Sequence, residues 1–437
     1  MKKIYALPIF VFLLLNAVQA QDTTKLSLLF VGDIMQHESQ INAAWNASSK
    51  KYDYTECFQF AKPFLSSADL TIGNLEVTLA GRPYSGYPQF SAPDELLTTL
   101  KDVGVDILVT ANNHCVDKGL KGLERTITML DSFNILHTGT FKDETDRLND
   151  YPLIIEKNGF KIALLNYTFS TNGLPVTKPN IVNRIDTTTI RKDLNMAKES
   201  KPDAIIVFTH WGIEYQSLPS KEQKAVTDFC FKKGADLVIG AHPHVIQPME
   251  WRKDKDQFVA YSLGNFVSGQ RKRYTDGGTM LHIDLEKISF KPDSSETRID
   301  SAGYILQWIY KTGVTRDYYI LPAAKFENDS TGFIKDATSK LALKTFLTDS
   351  RALFTTHNIN VPEIVRDPDM YTIEFMNLTI DESLMKQLEK FGVIKMFTNE
   401  NKIKVGVFMT YSEAAEALQK ITSETQMQNG TVVREQF

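Results

Sequence analysis

Short apolar runs of strand type alternate with helical segments through the first 285 residues, and several of these runs end in polar side chains. The run Leu26 to Val31 is followed by Gly32-Asp33, and the run Ala204 to Phe208 is followed by Thr209-His210. Buried strands that alternate with helices indicate a largely parallel α/β sheet. Ligands in such folds bind beyond the carboxyl ends of the strands. The pattern therefore predicts both the fold class and the edge at which a site would lie.

A further strand-type run ends in Gly240-Ala241-His242-Pro243-His244. We expect Gly240 to let the backbone turn sharply. Pro243 fixes its own φ and favours an extended His242, so both imidazoles would project from a stiff turn. Neutral imidazole is the commonest metal ligand among side chains, and His242 and His244 would form half of a metal site. The alternative is a polar loop with two incidental histidines.

Polar residues at the other strand ends complete the chemistry of a metal site. Mixed oxygen and nitrogen ligands suit Mn, Fe or Zn better than Mg or Ca. Two ions about 3.5–4 Å apart, bridged by one carboxylate, would clamp a phosphate and generate a nucleophile. A histidine beside a ligand would protonate the leaving group. The predicted ligands are Asp33, Glu76, Asn113, His210, His242 and His244, the predicted acid is His114, and the supporting residues are Asn74, Asp117, Glu214 and Asn265.

Each of these residues has a structural alternative when it is taken alone. Asp33 would cap a helix, Glu76 and Glu214 would be surface charges, and His210 would be a satisfied buried histidine. The basic loop Gly269 to Gly278 would contact an anionic substrate or would simply be solvated. The remaining histidines are interpreted as structural or exposed: His37, His137, His282 and His357.

The amino terminus has the pattern of a secretory signal peptide over residues 1–20. Met1-Lys2-Lys3 is basic, residues 4–15 are almost all apolar, and Val18-Gln19-Ala20 offers a cleavage site. No later apolar run is long enough to cross a bilayer. We therefore expect export to the periplasm or cell envelope, with an uncleaved anchor as the alternative. The net charge of −4 gives no indication of a nucleic-acid partner.

A first domain is expected over residues 21–285, and the carboxyl-terminal part of the chain, from residue 369, changes character. Residues Phe258 to Val267 predict one strand, and residues 291–298 predict a polar connector within an extension that spans 286–368. Residues 369–437 follow the order β-α-β-β-α-β, which predicts a small ferredoxin-like domain.

Six ordered motifs within residues 26–285 resemble the bacterial capsule-synthesis family (CapA, poly-gamma-glutamate capsule). These motifs are Gly32-Asp33-Ile34-Met35, Gly73-Asn74-Leu75-Glu76, Ala111-Asn112-Asn113-His114 with Asp117 and Gly119, His210-Trp211-Gly212-Ile213-Glu214, His242-Pro243-His244-Val245 and Tyr261-Ser262-Leu263-Gly264-Asn265-Phe266. The family is similar to calcineurin-like metallophosphoesterases. The resemblance implies a four-layer α/β/β/α sandwich with a dinuclear metal site.

The resemblance also implies a role for each matched residue. Asp33 and His244 would bind the first ion, and Glu76 would bridge both ions. The second ion would be bound by Asn113, His210 and His242, with His114 as the acid. One position departs from the pattern, because Met35 stands where the phosphoesterases have the histidine of Asp-x-His, and His37 comes two residues later.

The carboxyl-terminal part is similar to a SPOR domain, in Lys404 to Phe408 followed by Ser412 to Leu418. This resemblance implies binding to peptidoglycan that has lost its stem peptides; an accessory ferredoxin-like domain is the alternative.

The sequence leaves two functions open for the whole protein. One is a metal-dependent, phosphoesterase-like hydrolase that acts on an anionic envelope polymer or a phosphorylated precursor. The other is a non-hydrolytic capsule assembly or anchoring factor, an alternative that Met35 keeps open.

Overall fold

The structure is a computed structural model that describes residues 22–437, apart from 292–293, 313–316, 329–331, 369, 377–381, 389–390, 392–393, 398–401, 409–410, 426, 428 and 436–437. The signal peptide expected over residues 1–20 lies outside the described residues. Among the helices that the structure describes, none combines the length and the apolar character needed to span a membrane.

The apolar run Leu26 to Val31 lies in a long strand, Asp22–Ile34, at the centre of an eight-stranded sheet. This strand pairs in parallel with Leu70–Leu75 and antiparallel with Gly277–Lys291. In spatial order, this first sheet contains Tyr318–Pro322, Ser294–Lys311, Gly277–Lys291, Asp22–Ile34, Leu70–Leu75, Ile107–Val109 and Leu136–Thr138, and Asn265–Val267 also pairs with Asp22–Ile34.

A second sheet has six strands, and its central strands are parallel. In spatial order it contains Ile246–Arg252, Gln257–Leu263, Leu237–Ala241, Ala204–His210, Phe160–Thr168 and Leu153–Lys157. Two smaller pairs join Thr140–Phe141 to Ile181–Val182 and Trp45–Asn46 to Lys51–Tyr52.

Alternate residues of each sheet pack into different apolar clusters, as the period of two in a strand requires. Leu28 and Phe30 face a cluster that also contains Ile206 and Phe208 of the second sheet. Leu29 packs with the helices on the outer face of the first sheet. The outer face of the second sheet packs against its own helices. The two sheets therefore lie face to face between two helical layers, and the expected α/β/β/α sandwich is confirmed.

The helices lie mostly between strands in the chain. They are Glu38–Ala44, Thr55–Phe58, Lys62–Leu65, Glu95–Asp102, Gly119–Ser132, Glu144–Asp150, Thr187–Glu199, Lys221–Lys232, Ala323–Phe326 and Ala337–His357, followed by Glu382–Leu388 and Tyr411–Glu424 in the carboxyl-terminal part. The long helix Ala337–His357 buries Phe346 and Phe354 in the cluster between the sheets.

The polar connector expected over residues 291–298 is wrong. Residues 294–298 begin the strand Ser294–Lys311, which pairs with Gly277–Lys291 along most of its length. Polar residues form this strand because the outer part of the hairpin is exposed and needs no apolar face. The first sheet therefore continues past residue 285, as far as Tyr318–Pro322.

The single strand expected over residues 258–267 is also wrong. Gln257–Leu263 belongs to the second sheet, whereas Asn265–Val267 pairs with the first. Gly264 joins them with φ of +72°, and its carbonyl accepts the N–H of Asp33 at 3.0 Å. A Cβ atom on Gly32 would lie 1.9 Å from the same carbonyl oxygen, so only glycine fits there. The chain thus crosses between the sheets at the carboxyl ends of their strands.

The described residues after 369 form a separate antiparallel sheet in the order Ile394–Phe397, Lys402–Phe408, Met370–Met376 and Thr431–Glu435. With helices Glu382–Leu388 and Tyr411–Glu424, the elements follow the expected order β-α-β-β-α-β. Ile373, Phe375 and Val405 contribute to a small core of this part alone. The likeness to a SPOR domain stays a prediction.

Candidate metal centre

The predicted ligands meet at the carboxyl ends of strands from both sheets. Asp33 and Glu76 come from the first sheet, whereas His210, His242 and His244 come from the second. All five residues are buried, and none of them has more than 3% of its surface exposed. Residues far apart in the chain therefore converge on one buried point between the two sheets.

The turn that carries His242 and His244 differs from the expectation. His242 has φ of +101° and His244 has φ of +58°, so neither has the extended backbone that Pro243 would favour. These are costly conformations for residues other than glycine, and they concentrate at functional sites. Gly240 lies within the strand Leu237–Ala241, where a Cβ atom would lie 2.1 Å from the carbonyl oxygen of Tyr261. Its role is close packing rather than the turn.

Asp33 is the centre of the first group of contacts. Its Oδ2 lies 3.1 Å from Nδ1 of His244, and its Oδ1 accepts a hydrogen bond from Nδ2 of Asn74 at 2.8 Å. Asn265 Oδ1 lies 3.1 Å from the same His244 nitrogen. Asn74 and Asn265 thus orient the groups that the sequence predicts as ligands.

His210 is the centre of the second group. Its Nε2 lies 2.8 Å from Oδ1 of Asn113, 3.1 Å from Nδ1 of His242 and 3.5 Å from Oε1 of Glu76. Its Nδ1 lies 3.2 Å from Nδ2 of Asn74. One imidazole nitrogen therefore faces an amide oxygen, a second imidazole and a carboxylate.

Glu76 lies between these two groups. Two sets of three side chains have ligand atoms within 4.8 Å of one another, and Glu76 belongs to both: Glu76, His242 and His244, and Asp33, Glu76 and His210. Both carboxylate oxygens are buried, and neither has a hydrogen-bond partner among the described residues. Burial, followed by the charge of Asp33, raises the pKa of Glu76 well above its usual range. Buried carboxylates need a compensating partner, so this donor set fits a cation.

The histidines of the centre are suited to binding a metal. Burial, followed by the nearby imidazoles, lowers the pKa of His210 well below its usual range. The same causes lower the pKa of His242 to about 3. Both rings are therefore neutral at physiological pH, which is the form that donates a lone pair to a metal.

His114 is paired with Asp117 at the side of the centre. Its Nδ1 lies 2.8 Å from Oδ2 of Asp117, which also accepts the backbone N–H of Phe90 at 2.8 Å. The Phe90 ring packs edge-on against the imidazole, with 4.7 Å between centroids. Asp117 and Phe90 together fix the orientation of the predicted acid.

Three residues lie away from the ligand groups. Glu214 is exposed, although its charge contributes to the raised pKa of Glu76. The Met35 side chain is buried in the apolar cluster on the helical face of the first sheet. His37 begins helix Glu38–Ala44, and its Nδ1 accepts the N–H of Gly269 at 3.2 Å. The described structure therefore places neither Met35 nor His37 among the ligands.

Several residues around the centre were not predicted from the sequence. Asn112 donates to the carbonyl of Leu75 at 2.7 Å and accepts the N–H of His114 at 3.0 Å, so it ties two strand ends together. Phe169 packs against His242 with 4.6 Å between ring centroids. Asn112 lies inside the motif Ala111-Asn112-Asn113-His114, so its place at a strand end could have indicated a role. Nothing in the sequence around Phe90 or Phe169 indicated one.

The basic loop approaches His244 through Tyr215. Lys272 Nζ is 3.8 Å from the centroid of the Tyr215 ring, and this ring is 6.2 Å from the ring of His244. Arg273 is paired with Asp349, and Arg271 lies 5.0 Å from the ring of Tyr318. Lys272 is thus connected to His244 through the ring of Tyr215.

The chain is similar to two curated proteins over about 60% of its length. It is 29% identical over 282 residues to the capsule biosynthesis protein CapA of Bacillus anthracis, with 61% of this chain and 66% of the relative covered. It is 29% identical over 275 residues to the PGA biosynthesis protein CapA of Bacillus subtilis (strain 168), with 60% and 68% covered. The chain thus spans 66% of the length of the first relative.

Solved structures with a similar arrangement include two with low sequence identity. The NAD nucleotidase NadN of Haemophilus influenzae aligns with a TM-score of 0.42 and 13% identity, over 94% of this chain and 95% of that one. The calcineurin-like phosphoesterase YfkN of Bacillus subtilis aligns with a TM-score of 0.40 and 14% identity, over 75% and 100%.

The sequence model of the bacterial capsule synthesis protein family PGA_cap matches residues 27–270, which is more than half of the chain. This region contains every predicted ligand and the predicted acid. The protein therefore belongs to the bacterial capsule synthesis family PGA_cap.

Proposed function

We propose that the protein is an exported, metal-dependent phosphoesterase that acts on an anionic envelope polymer or its phosphorylated precursor during capsule biosynthesis. The observation that carries this proposal is the position of Glu76, which two potential ligand groups share and whose oxygens have no hydrogen-bond partner in the described structure. A bridging carboxylate between two divalent ions would account for both features.

The residues fit two ions of the Mn, Fe or Zn type. The pairwise contacts assign Asp33 and His244 to one ion and Asn113, His210 and His242 to the other, and Glu76 would bridge them. The two sets of three that share Glu76 cut across this division, because all of these side chains lie close together. When bound, such ions supply a Lewis acid for a phosphoryl oxygen and activate water for attack. Asn74 and Asn265 keep the Asp33 and His244 groups in place through the contacts described above.

His114 is the group that would donate a proton to the departing oxygen. The Asp117 carboxylate, 2.8 Å from Nδ1, favours a proton on that nitrogen. The proton that would be transferred is therefore one carried on Nε2. The edge-on Phe90 ring excludes water from one side of the imidazole.

Two cations near the ligand histidines support an anionic substrate. Lys272 stands over Tyr215, whose ring lies 6.2 Å from that of His244. Arg184 donates to the carbonyl of Phe169 at 2.8 Å, and Phe169 packs on His242. These cations would attract a polyanion towards the buried ligands.

The first test is the metal content of the mature, untagged protein purified without chelators. We expect about two equivalents of Mn, Fe or Zn and a loss of metal in His242→Ala, because this change removes a ligand. The metal-loaded protein should hydrolyse a phosphodiester, and His114→Ala should slow hydrolysis by a factor on the order of 10²–10⁴ while retaining the metal. Full activity in His114→Ala would contradict the acid role, and a protein that refuses metal on titration would contradict the whole proposal.

The second candidate is a non-hydrolytic assembly or anchoring factor. The observation that favours it is Met35, which packs in an apolar cluster where the phosphoesterase pattern has a ligand. Residues 369–437 would then attach the protein to peptidoglycan. A pull-down of the full chain with peptidoglycan, compared with a chain ending at residue 368, separates the two functions when it is combined with the phosphodiester assay.

A further inference from the structure

His37 is not one of the predicted ligands, but a segment that reaches the metal centre packs against it. A Cβ atom on Gly269 would lie 2.6 Å from Cβ of His37, so this segment passes directly over the His37 side chain. The same segment includes Asn265, whose Oδ1 lies 3.1 Å from Nδ1 of His244 and whose Nδ2 donates to Gln270 at 3.0 Å. The chain from 265 to 270 therefore links His37 to a predicted ligand.

A second segment links His37 to the predicted acid. The ring of Phe90 packs edge-on against the imidazole of His37, with 5.3 Å between centroids, and against that of His114, with 4.7 Å. One phenyl ring thus separates the two imidazoles. The charges of His244 and His114 both act on the His37 ring, so it lies within electrostatic reach of the ligands and of the acid.

The Nδ1 atom of His37 is used within the protein. It lies 3.2 Å from the backbone nitrogen of Gly269, and a backbone N–H can only donate. Oε1 of Gln40 also lies 3.3 Å from Nδ1, but this oxygen already accepts the backbone N–H of His37 at 2.8 Å. Nδ1 is therefore the acceptor of the ring, and the proton of the neutral imidazole is on Nε2.

The His37 ring is neutral at physiological pH. Burial is the main cause that lowers the pKa of His37 to about 4, and the charges of His244, His114 and Arg271 act in the same direction. Nδ1 of His114 lies beside the Asp117 carboxylate, whereas Nδ1 of His37 lies beside an N–H. His37 is thus suited to donating a hydrogen bond from Nε2 and not to exchanging a proton.

The Nε2 atom of His37 is left without a partner and can be reached from outside. In the part of the chain that the structure describes, no hydrogen bond includes this atom, and it is not among the unpartnered polar atoms that are sealed from solvent. The residue as a whole is only partly buried. The internal contacts of His37 therefore leave one N–H donor available to a ligand.

The charge near this donor suits an anion. Arg271 acts on the His37 ring through its positive charge. Among the described residues Arg271 stands over the ring of Tyr318, at 5.0 Å from its centroid, and forms no ion pair. A cation without a carboxylate and a neutral N–H donor thus lie close together, and both favour an oxygen that carries negative charge.

We propose that His37 contacts the substrate, with its Nε2–H donating a hydrogen bond to an oxygen of the anionic group bound at the metal centre. This inference rests on the proposed function, because it requires an anion at that centre. It gives His37 a role different from that of His114, since His37 holds the substrate and transfers no proton.

Two substitutions separate this role from a structural one. His37→Asn keeps an oxygen near the place of Nδ1, which can still accept the Gly269 N–H, but it has no group at the place of Nε2. His37→Gln reaches the place of Nε2 with an N–H but has no acceptor at the place of Nδ1. Substrate contact predicts that His37→Asn is the impaired variant, whereas a role in holding the loop predicts that His37→Gln is.

The first measurement is calorimetric titration of the metal-loaded full chain with inorganic phosphate. His37→Asn should weaken phosphate binding by roughly tenfold, because a hydrogen bond to a charged group is lost. His37→Gln should stay within about threefold of the wild-type affinity. The matched control is His357→Asn, at the exposed end of helix Ala337–His357, and it should bind like the wild type. The metal content should be the same in all of these proteins.

The second measurement is the kinetics of phosphodiester hydrolysis. His37→Asn should raise KM more than it lowers kcat, as the loss of an interaction made with the bound substrate does. Wild-type phosphate affinity and KM in His37→Asn would overturn the inference and leave the proposed function intact. Binding in His37→Gln that is as weak as in His37→Asn, or weaker, would indicate a structural role and would also overturn it.

Two further outcomes separate the inference from the proposed function. A wild-type chain that binds phosphate through His37 but hydrolyses no phosphodiester would support the inference and contradict the hydrolase. A metal-loaded chain that binds no phosphate at millimolar concentration would overturn the inference.

Discussion

Carboxylates lie at both ends of the parallel strands, but they have different partners at the two ends. At the amino ends, an aspartate precedes each of four strands and accepts a backbone N–H of the neighbouring strand at 2.7–2.8 Å: Asp69 from Ser27, Asp106 from Thr71, Asp203 from Lys161 and Asp236 from Ile205. At the carboxyl ends, Asp33 contacts other predicted ligands, and Glu76 has no donor among the described residues.

This difference separates carboxylates that have a backbone partner from carboxylates that could bind a ligand. Each amino-end aspartate satisfies a backbone group that the sheet leaves open, so its carboxylate has a hydrogen-bond donor within the protein. The carboxyl-end set concentrates carboxylates and neutral imidazoles, which could together bind cations. A substitution should therefore affect folding at one edge and metal binding at the other.

The largest expected effect is that of Glu76→Gln at the carboxyl edge. This change should lower the metal content from about two equivalents to below one, since the shared ligand loses its charge. In the metal-free protein the same change removes a buried carboxylate without a donor, so the free energy of unfolding should stay equal or increase. Metal analysis and urea unfolding with a chelator measure the two effects. Retention of both ions, or a metal-free variant destabilised by more than about 1 kcal/mol, would contradict this view.

A smaller effect is expected from Asp203→Ala at the amino edge. Besides the N–H of Lys161, Asp203 pairs with Lys287 at 2.9 Å, and both side chains are mostly buried. Its removal should lower the free energy of unfolding by about 1–3 kcal/mol, because a backbone donor loses its acceptor. The metal content should not change. Asp254→Ala is the matched control at an exposed site and should stay within about 0.5 kcal/mol of the wild type. A loss of metal in Asp203→Ala would contradict the view that the amino edge affects folding and only the carboxyl edge affects metal binding.

The smallest effect concerns the pH dependence of Asp236. Burial raises the pKa of Asp236 to about 6, so the folded state holds a proton that the unfolded state releases between about pH 6 and pH 4. This carboxyl therefore favours the folded state more as the pH falls through that window. Asp236→Asn keeps an acceptor for the N–H of Ile205 but does not titrate. Relative to this variant, the wild type should gain about 1 kcal/mol between pH 7 and pH 5 in metal-free unfolding experiments. A constant difference would show that Asp236 has an ordinary pKa.

The sequence predicted the set of residues at the centre better than their local geometry. Strand-end position was enough to group Asp33, Glu76 and His210, because parallel strands bring their carboxyl ends to one edge. The same rule could have grouped the aspartates at the amino edge, since Ala68-Asp69-Leu70 and Ala235-Asp236-Leu237 place aspartates directly before strands. Their role became visible only with the register of the neighbouring strand.

The sequence pattern did not predict the local geometry of the backbone. A bulge shifts the register of Asp22–Ile34 between Val31 and Asp33, so simple alternation does not give the direction of Asp33 or Met35. The apolar run over residues 258–267 contains no signal, apart from Gly264, that the chain changes sheets. His242 and His244 have positive φ, and both contact Asp33, which lies more than 200 positions away in the chain, so neighbouring residues alone gave no indication of this geometry.

The passage of the chain from one sheet to the other at Gly264 has a consequence for the order in which the protein assembles. The crossing places Asn265 against His244 and the Gly264 carbonyl against Asp33, so the centre exists only after the two sheets have docked. Ions would then bind the completed sandwich in preference to either half, and would slow the separation of the sheets without speeding their formation. The centre would thus form last during folding. The rate of metal uptake during refolding would therefore report the docking of the two sheets.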